Sequence, residues 1–170
     1  MNKRKLVDYT SMYEALNTLM KTELLEVELY FEIGWAVCTR PEKGAAVMAA
    51  EHLQASCPES KGFSPRNLRR MREFYRAYAD SRELQALALK LGWTQNVAIL
   101  EGCEGSQERA WYLRAAQEHH WTKTELMEQI AAVGGEGISG ARLVITGDGR
   151  LLRAEVGGKP IDPNGIYAVS

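Results

Sequence analysis

The residues with the clearest chemical potential are basic side chains concentrated in one segment. Between Lys61 and Tyr78 the chain has six basic residues and one acidic residue, Glu73. This segment therefore carries +5, and the rest of a chain whose net charge is −1 carries −6. Arginine presents a planar donor fork that matches phosphate groups and the edge of guanine. The segment thus indicates a nucleic-acid site on an otherwise acidic protein.

A helix is predicted to display these charges on one face. Ser64 is a suitable N-cap and Pro65 fits the first helical position, so we expect a helix from Pro65 to Ala79. With about 100° between successive residues, apolar and basic side chains fall on opposite arcs. The apolar arc contains Leu68, Met71, Phe74, Tyr75 and Tyr78, and the basic arc contains Arg66, Arg69, Arg70, Arg72 and Arg76.

The preceding segment completes a predicted helix-turn-helix. A helix is expected over residues 44–56, ended by Pro58, and a turn with the sequence CPESKGF joins it to the basic helix. Two helices joined by a glycine-containing turn, the second one basic, are typical of this motif, although its turn is usually about 3–4 residues long. The alternative interpretation is that the arginines form an ordinary solvated surface.

Position along the helix predicts a role for each polar residue at a DNA duplex. Arg66 and Arg70 lie towards the N-terminal end and are expected to approach base edges. The residues expected to hold phosphates are Lys61, Arg69, Arg72 and Arg76. Ser64 and Asn67, in the first turn, complete the predicted DNA-binding set.

The remaining elements are also predicted to be helical up to about residue 132. A long first helix is expected from Ser11 to Cys38, with Ser11 as its cap and Glu14 three residues later. A helix over 81–91 is expected to stop at Gly92, and shorter helices are expected over 95–101, 106–119 and 122–132. Thr122 and Glu125 form a predicted capping box at the start of the last helix.

Composition changes near residue 133 and predicts a second region. Nine of the 15 glycines lie between Gly134 and Gly165, and the GGEG stretch at 134–137 is a natural hinge. Two apolar-rich runs flank Gly147-Asp148-Gly149, which is a strong hairpin signal. We therefore predict a mainly α fold. It comprises a multi-helix domain over 1–132 with a helix-turn-helix-like unit, and a hinge with a short β-hairpin or meander over 133–170.

Other reactive residues do not form a recognisable site in the sequence. Cys38, Cys57 and Cys103 are widely spaced, which favours reduced thiols, and the neighbours of Cys103 are acidic. Adjacent His119 and His120 point in different directions on a helix and make a poor chelate. No dinucleotide, phosphate-loop or nucleophile-elbow motif is present, so we expect no metal and no cofactor.

Two further features bear on partners and location. Tyr30, Phe31 and Trp35 could form an exposed aromatic patch, but burial in the core is the favoured interpretation. No apolar run approaches the ~20 residues of a membrane span, and the basic start MNKRK lacks the apolar run of a secretory signal. We therefore expect a cytoplasmic protein without a membrane partner.

Several blocks of the chain resemble one bacterial family. LYFEIGWAV, KGFSPRNLRRMREFYRAY, LGWTQNVAIL and ERAWYLRAAQEHHWTKTELMEQI are similar to successive blocks of the N-terminal domain of YhcG-type proteins, over residues 10–132. The resemblance implies a helix-turn-helix-like domain associated with nucleic acid, usually followed by a nuclease domain of the PD-(D/E)XK class. The sequence of the tail, 139–170, has a weaker similarity to a stretch of the C-terminal domain of bacterial nucleotidases.

The nuclease half of that architecture is not recognisable in the chain. Such a nuclease needs an aspartate and an acidic-x-lysine triplet on adjacent strands around a divalent metal. The one acidic-x-lysine triplet is Glu59-Ser60-Lys61, in a predicted loop between helices. The activity implied by the family is therefore not carried over to this chain.

These observations together predict a DNA-binding helix-turn-helix-like module without catalytic activity. Its expected partner is double-stranded DNA, and a homodimer is plausible because a single short helix rarely binds tightly. One alternative is a protein-interaction subunit that recruits a separate nuclease or defence partner. A third interpretation is a small nuclease.

Overall fold

The structure, a computed structural model, describes residues 6–134 and the backbone of three short strands beyond them. Residues 6–134 form eight helices, which confirms the mainly helical prediction. They are α1 (Thr10–Leu19), α2 (Glu26–Cys38), α3 (Ala45–Ser56), α4 (Pro65–Tyr78), α5 (Arg82–Leu89), α6 (Trp93–Gly102), α7 (Ser106–Glu118) and α8 (Lys123–Gly134). None of the helices described is long and apolar enough to cross a bilayer.

Three short strands follow the helices. They are β1 (Arg142–Ile145), β2 (Leu151–Val156) and β3 (Lys159–Pro160), paired antiparallel in the order β1-β2-β3. The turn predicted at residues 147–149 and most of the hinge predicted at 134–137 lie outside the described residues. The predicted hairpin, taken as a folded unit, therefore stays a prediction.

The long first helix predicted from Ser11 to Cys38 is wrong: α1 and α2 are separate helices. The hydroxyl of Thr22 donates to the carbonyl oxygen of Leu19 at 2.6 Å, in competition with a continuing helical ladder. Leu25 then adopts extended backbone, and its N–H donates to the Glu28 carboxylate at 3.1 Å, which starts α2. Ser11 lies inside α1 rather than at its cap, because α1 already begins at Thr10.

The chain divides into two compact units, residues 1–85 and 86–170, and each is considered by itself. This division between residues 85 and 86 is separate from the predicted domain boundary near residue 133. That boundary stays a prediction. The first unit contains α1 to α4 and the start of α5.

The core of the first unit is built around the crossing of α2 and α4. Leu68, Met71, Phe74 and Tyr78 are buried, as the predicted apolar arc requires, and Tyr75 is half-buried. Phe31 of α2 meets Phe74 edge to face, with ring centroids 5.6 Å apart. These contacts fix the rotation of α4 about its own axis, because each buried ring removes apolar surface from water.

The second unit has its own helical core. Tyr112, Leu113, Ile99 and Leu126 are fully buried, which brings α6, α7 and α8 together. The guanidinium of Arg109 donates to the carbonyl oxygens of Leu100 and Cys103 at 3.3 and 3.2 Å, at the end of α6. These bonds satisfy carbonyl groups that a helix terminus leaves without partners.

Helix starts in the second unit partly follow the predictions. Thr122 N–H donates to the Glu125 carboxylate at 2.7 Å, and Glu125 N–H donates to the Thr122 hydroxyl at 3.3 Å, which confirms the capping box. Gly92 was predicted as the stop of the preceding helix, but α5 ends at Leu89 and Gly92 instead caps α6. The side chain of Gln95 accepts from Gly92 N–H at 2.8 Å, so the glycine belongs to the later helix.

Candidate nucleic-acid interface

Helix α4 begins as its sequence predicts. Ser64 has extended backbone, and its hydroxyl accepts from Asn67 N–H at 3.1 Å. Pro65 occupies the first helical position, where a missing N–H leaves no bond unmade. The helix ends at Tyr78, one residue before the predicted end. The predicted basic helix is therefore confirmed.

The loop before α4 is held in place from several directions. Gly62 has a φ of +95°, and a Cβ there would clash with the Tyr30 hydroxyl. Its carbonyl oxygen accepts from the Asn67 side-chain amide at 2.6 Å. Phe63 is buried, and its carbonyl oxygen accepts from Gln54 of α3 at 2.8 Å. The loop residues that carry Lys61 towards α4 are thus fixed by the fold.

These contacts give two of the predicted DNA-binding residues local structural work. The Ser64 hydroxyl caps α4, and the Asn67 amide holds Gly62. Each group has further hydrogen-bonding capacity, since the Ser64 hydroxyl can still donate and the Asn67 amide has a second N–H and an oxygen. The basic side chains are the part of the predicted set that adds positive charge.

Exposure sorts the basic side chains into an outer line and two flanks. Arg66, Arg69, Glu73 and Arg76 are exposed at spacings of three and four, so they form one stripe along α4. Arg70 and Arg72 are half-buried beside that stripe. The structure thus places Arg69, rather than Arg70, next to Arg66 on the outermost face.

Glu73 divides this stripe electrostatically. Its carboxylate accepts from the Arg76 guanidinium at 3.0 Å and lies 3.4 Å from Nε of Arg72, whose side chain is 18% exposed. One carboxylate therefore offsets charge in the C-terminal half of the helix. Within residues 6–134, Arg66, Arg69 and Lys61 have no acidic partner, so uncompensated positive charge lies at the N-terminal half. We call Lys61, Arg66 and Arg69 the basic end of α4.

A comparison with protein families finds a match that covers most of this chain. Residues 11–133 match the DUF1016 N-terminal domain, a domain of unknown function. The chain belongs to this family. The match agrees in general with the resemblance to YhcG-type N-terminal domains, whereas the similarity of the tail to nucleotidases finds no support. No curated protein and no solved structure matches the chain significantly.

In this DUF1016 N-terminal domain the acidic-x-lysine triplet lies where the sequence predicts. Glu59, Ser60 and Lys61 occupy the loop between α3 and α4, outside any helix or strand. The residues that the structure describes contain no group of three His, Cys, Asp or Glu side chains that could hold a metal ion. The described part of the domain thus offers no assembled metal centre.

The structure describes the surroundings of the three cysteines and of the adjacent histidines. Cys38, Cys57 and Cys103 are free thiols. Burial, and then the nearby Glu108 carboxylate, raises the pKa of the Cys103 thiol to about 12, which opposes formation of the nucleophilic thiolate. His119 stacks on Trp121 with ring centroids 5.2 Å apart, and His120 is exposed.

The prediction that three aromatic residues of α2 are buried is right for two of them. Tyr30 and Phe31 are buried, whereas Trp35 is 41% exposed. Trp35 lies on one helix face with Glu28, Glu32 and Thr39, at spacings of three, four and seven residues. These polar neighbours are the sequence signal that Trp35 is exposed. The signal is easily overlooked because nearly every other face of α2 is apolar.

Proposed function

We propose that this domain binds double-stranded DNA, without cutting it, through the basic end of α4. The observation that carries the proposal is the combination of a buried apolar face on α4 with exposed, uncompensated Arg66 and Arg69 on the opposite face. Such a helix holds its charges in fixed positions, whereas a flexible basic tail would lose conformational freedom on binding.

The positions of the basic residues suit them to different contacts with the duplex. Arg66 lies in the first turn of α4, the part of a recognition helix that approaches base edges in the major groove. Arg69 and Lys61 are suited to phosphates on either side, because phosphate contacts fix orientation and base contacts give specificity. Arg70 is a candidate for a second base contact. Arg72 and Arg76 are weaker candidates, since Glu73 already pairs with them.

A test is duplex binding by fluorescence anisotropy at about 50 and about 200 mM salt, the range over which phosphate contacts are screened. The Arg66→Gln/Arg69→Gln variant should bind much more weakly, with a log-log salt slope shallower by about 1, since Arg69 is the phosphate contact of the pair and each such contact contributes about −0.9. The matched control is Lys43→Gln/Arg82→Gln. It removes the same charge from two exposed positions, one just before α3 and one at the start of α5.

Two results would contradict the proposal. One is wild-type binding that does not change with salt, because contacts to phosphate must release counterions. The other is equal weakening in the Arg66/Arg69 and Lys43/Arg82 variants, which would mean that net charge, rather than a defined surface, governs the interaction.

The proposal includes the absence of nuclease activity. Incubation of plasmid DNA with the protein and magnesium or manganese should leave the plasmid supercoiled, since Glu59 and Lys61 lie in a loop with no neighbouring strand in the described first unit. Cleavage that disappears in the Glu59→Ala variant would reverse this conclusion and favour a small nuclease.

A second candidate function is recruitment of a partner protein, such as a separate nuclease or defence component. The observation that favours it is the exposed Trp35, because aromatic side chains are enriched at protein interfaces. The two functions can coexist, since Trp35 lies on α2 and the basic end lies on α4.

A homodimer on DNA is part of the first proposal and would appear as a two-to-one stoichiometry with the duplex.

A further inference from the structure

A groove in the first unit lies beside the crossing of α2 and α4. It has a volume of about 280 Å³. Its lining residues are Phe31, Glu32, Trp35, Tyr75, Ala79 and Gln85. Three of the six are aromatic and one is a carboxylate. We call it the aromatic groove.

The aromatic side chains present their ring systems at different angles. Phe31 is buried, with its ring centroid 5.0 Å from that of Tyr75 and the planes inclined by 54°. Trp35, which also lines the groove, is exposed. The faces of aromatic rings carry negative electrostatic potential, so rings gathered around a cavity attract a cation.

Glu32 adds a full negative charge to this environment. It is the one charged side chain that lines the groove, and it forms no ion pair with any residue in the described part of the chain. Arg72 and Arg76 of α4 pair with Glu73 instead. The groove therefore offers rings and a carboxylate to a cation that the described first unit does not supply.

We propose that the aromatic groove binds an arginine side chain of a partner protein. A guanidinium group is planar, stacks on aromatic faces and can donate to a carboxylate at the same time. Its weaker hydration favours transfer into a ring-lined cavity over that of an ammonium group. A phosphate would be repelled by Glu32, so the aromatic groove is a site for protein and not for the DNA proposed to bind the basic end. The two proposals are independent.

The probe for this site is the peptide acetyl-Gly-Gly-Arg-Gly-Gly-amide, added to the full chain at low salt. The indole N–H resonances of the four tryptophans, Trp35, Trp93, Trp111 and Trp121, give separate signals in a nitrogen-15 spectrum. We expect the Trp35 signal to shift and to saturate at millimolar peptide, while the other three stay in place. The same peptide with citrulline, which is uncharged and nearly isosteric, should bind about fivefold more weakly.

Variants at two glutamates test the role of the carboxylate. Glu32→Gln keeps the shape of the groove and should weaken the arginine peptide about threefold, less than the citrulline exchange does, because the rings still attract the cation. Glu23→Gln removes the same charge from an exposed position before α2 and should leave the affinity unchanged. Far-UV circular dichroism and the thermal transition of each variant report whether the first unit remains folded, and the citrulline comparison on the unaltered protein needs no variant at all.

Several results would overturn the assignment. They are a Trp35 signal that does not saturate, equal affinity for the citrulline peptide, or affinity for a lysine peptide as high as for the arginine peptide. Equal shifts of all four indole signals would also overturn it, because they would indicate non-specific association. Equal loss of binding in Glu32→Gln and Glu23→Gln would overturn it as well, because it would show that the net charge of the protein, and not the groove, governs the affinity for the peptide.

Discussion

Gly34 of α2 lies directly against the main chain of Met71 on α4, where a Cβ atom would clash with the carbonyl oxygen of Met71. The same Cβ would lie 3.0 Å from the Cβ of Tyr75. The two helices therefore approach as closely as their backbones allow. This contact sets the position of α4, and with it the positions of the basic end and of one side of the aromatic groove.

Substitution of Gly34 by alanine is expected to destabilise the first unit. Backbone cannot move aside as a flexible side chain can, so overpacking here should lower the free energy of unfolding by about 3 kcal/mol. For a unit of 85 residues that corresponds to a fall in its Tm of about 15 °C, measured by circular dichroism. Gly105→Ala is the control, because a Cβ at Gly105 meets nothing within 4 Å. Equal melting of the two variants would show that α2 and α4 can separate at little cost.

Removal of Glu73 is expected to strengthen duplex binding. Glu73→Gln releases Arg72 and Arg76 from their shared carboxylate, so the affinity should rise and the log-log salt slope should steepen by about 1–2. Glu23→Gln makes the same change in net charge away from α4. If the two variants bind alike, the C-terminal half of α4 does not reach the DNA.

The capping box of α8 predicts a pH dependence. Hydrogen bonds from the Thr122 backbone N–H and then from its side chain lower the pKa of Glu125 from its ordinary value of 4.5. The stabilisation of α8 by this carboxylate is therefore complete above pH 4.5 and is lost as pH falls through the lowered value. Carbon-detected titration of the Glu125 carboxyl should show the lowered pKa in the wild type and a partial return towards 4.5 in Thr122→Ala, because that variant loses the side-chain hydrogen bond and keeps the backbone N–H. An unchanged titration in that variant would show that the Thr122 side chain contributes nothing to the lowered pKa.

Truncation after Gly134 is expected to leave the helical part folded. Leu126 of α8 is fully buried, a Cβ on Gly102 of α6 would clash with Ile130, and the capping box lies within residues 122–125. The truncated protein should keep a cooperative thermal transition, the same far-UV signal and its duplex affinity. Aggregation or a non-cooperative transition would instead make the tail an integral layer of the domain and would refute the division near residue 133.

The parts of the fold that the sequence predicts well are those fixed by local interactions. Ser64, Pro65 and the alternation of arginine with apolar residues define α4 because capping and amphipathicity act within a few residues. The Thr122–Glu125 capping box is local in the same way. These features need no knowledge of the tertiary structure.

The errors arise where distant residues or competing local bonds decide. Apolar residues recur at helical spacing from Leu16 to Trp35, and this pattern hides the break between α1 and α2. At the break the Thr22 hydroxyl bonds to the carbonyl oxygen of Leu19, and no proline or glycine marks the position in the sequence. Trp35 counted as core by residue type, although its face of α2 is polar. The role of Glu73 was also hidden, since the wheel places it among arginines without revealing which of them it pairs with.

The fixed loop before α4 has a consequence for the kinetics of any encounter with a charged ligand. Gly62, Phe63 and Asn67 hold the backbone beside Lys61 in one conformation before the ligand arrives. No ordering step then has to follow collision, so association should proceed in a single exponential phase whose rate rises as salt falls. A Gly62→Ala substitution would place strain in that loop, and a second, slower phase independent of ligand concentration would then report its rearrangement.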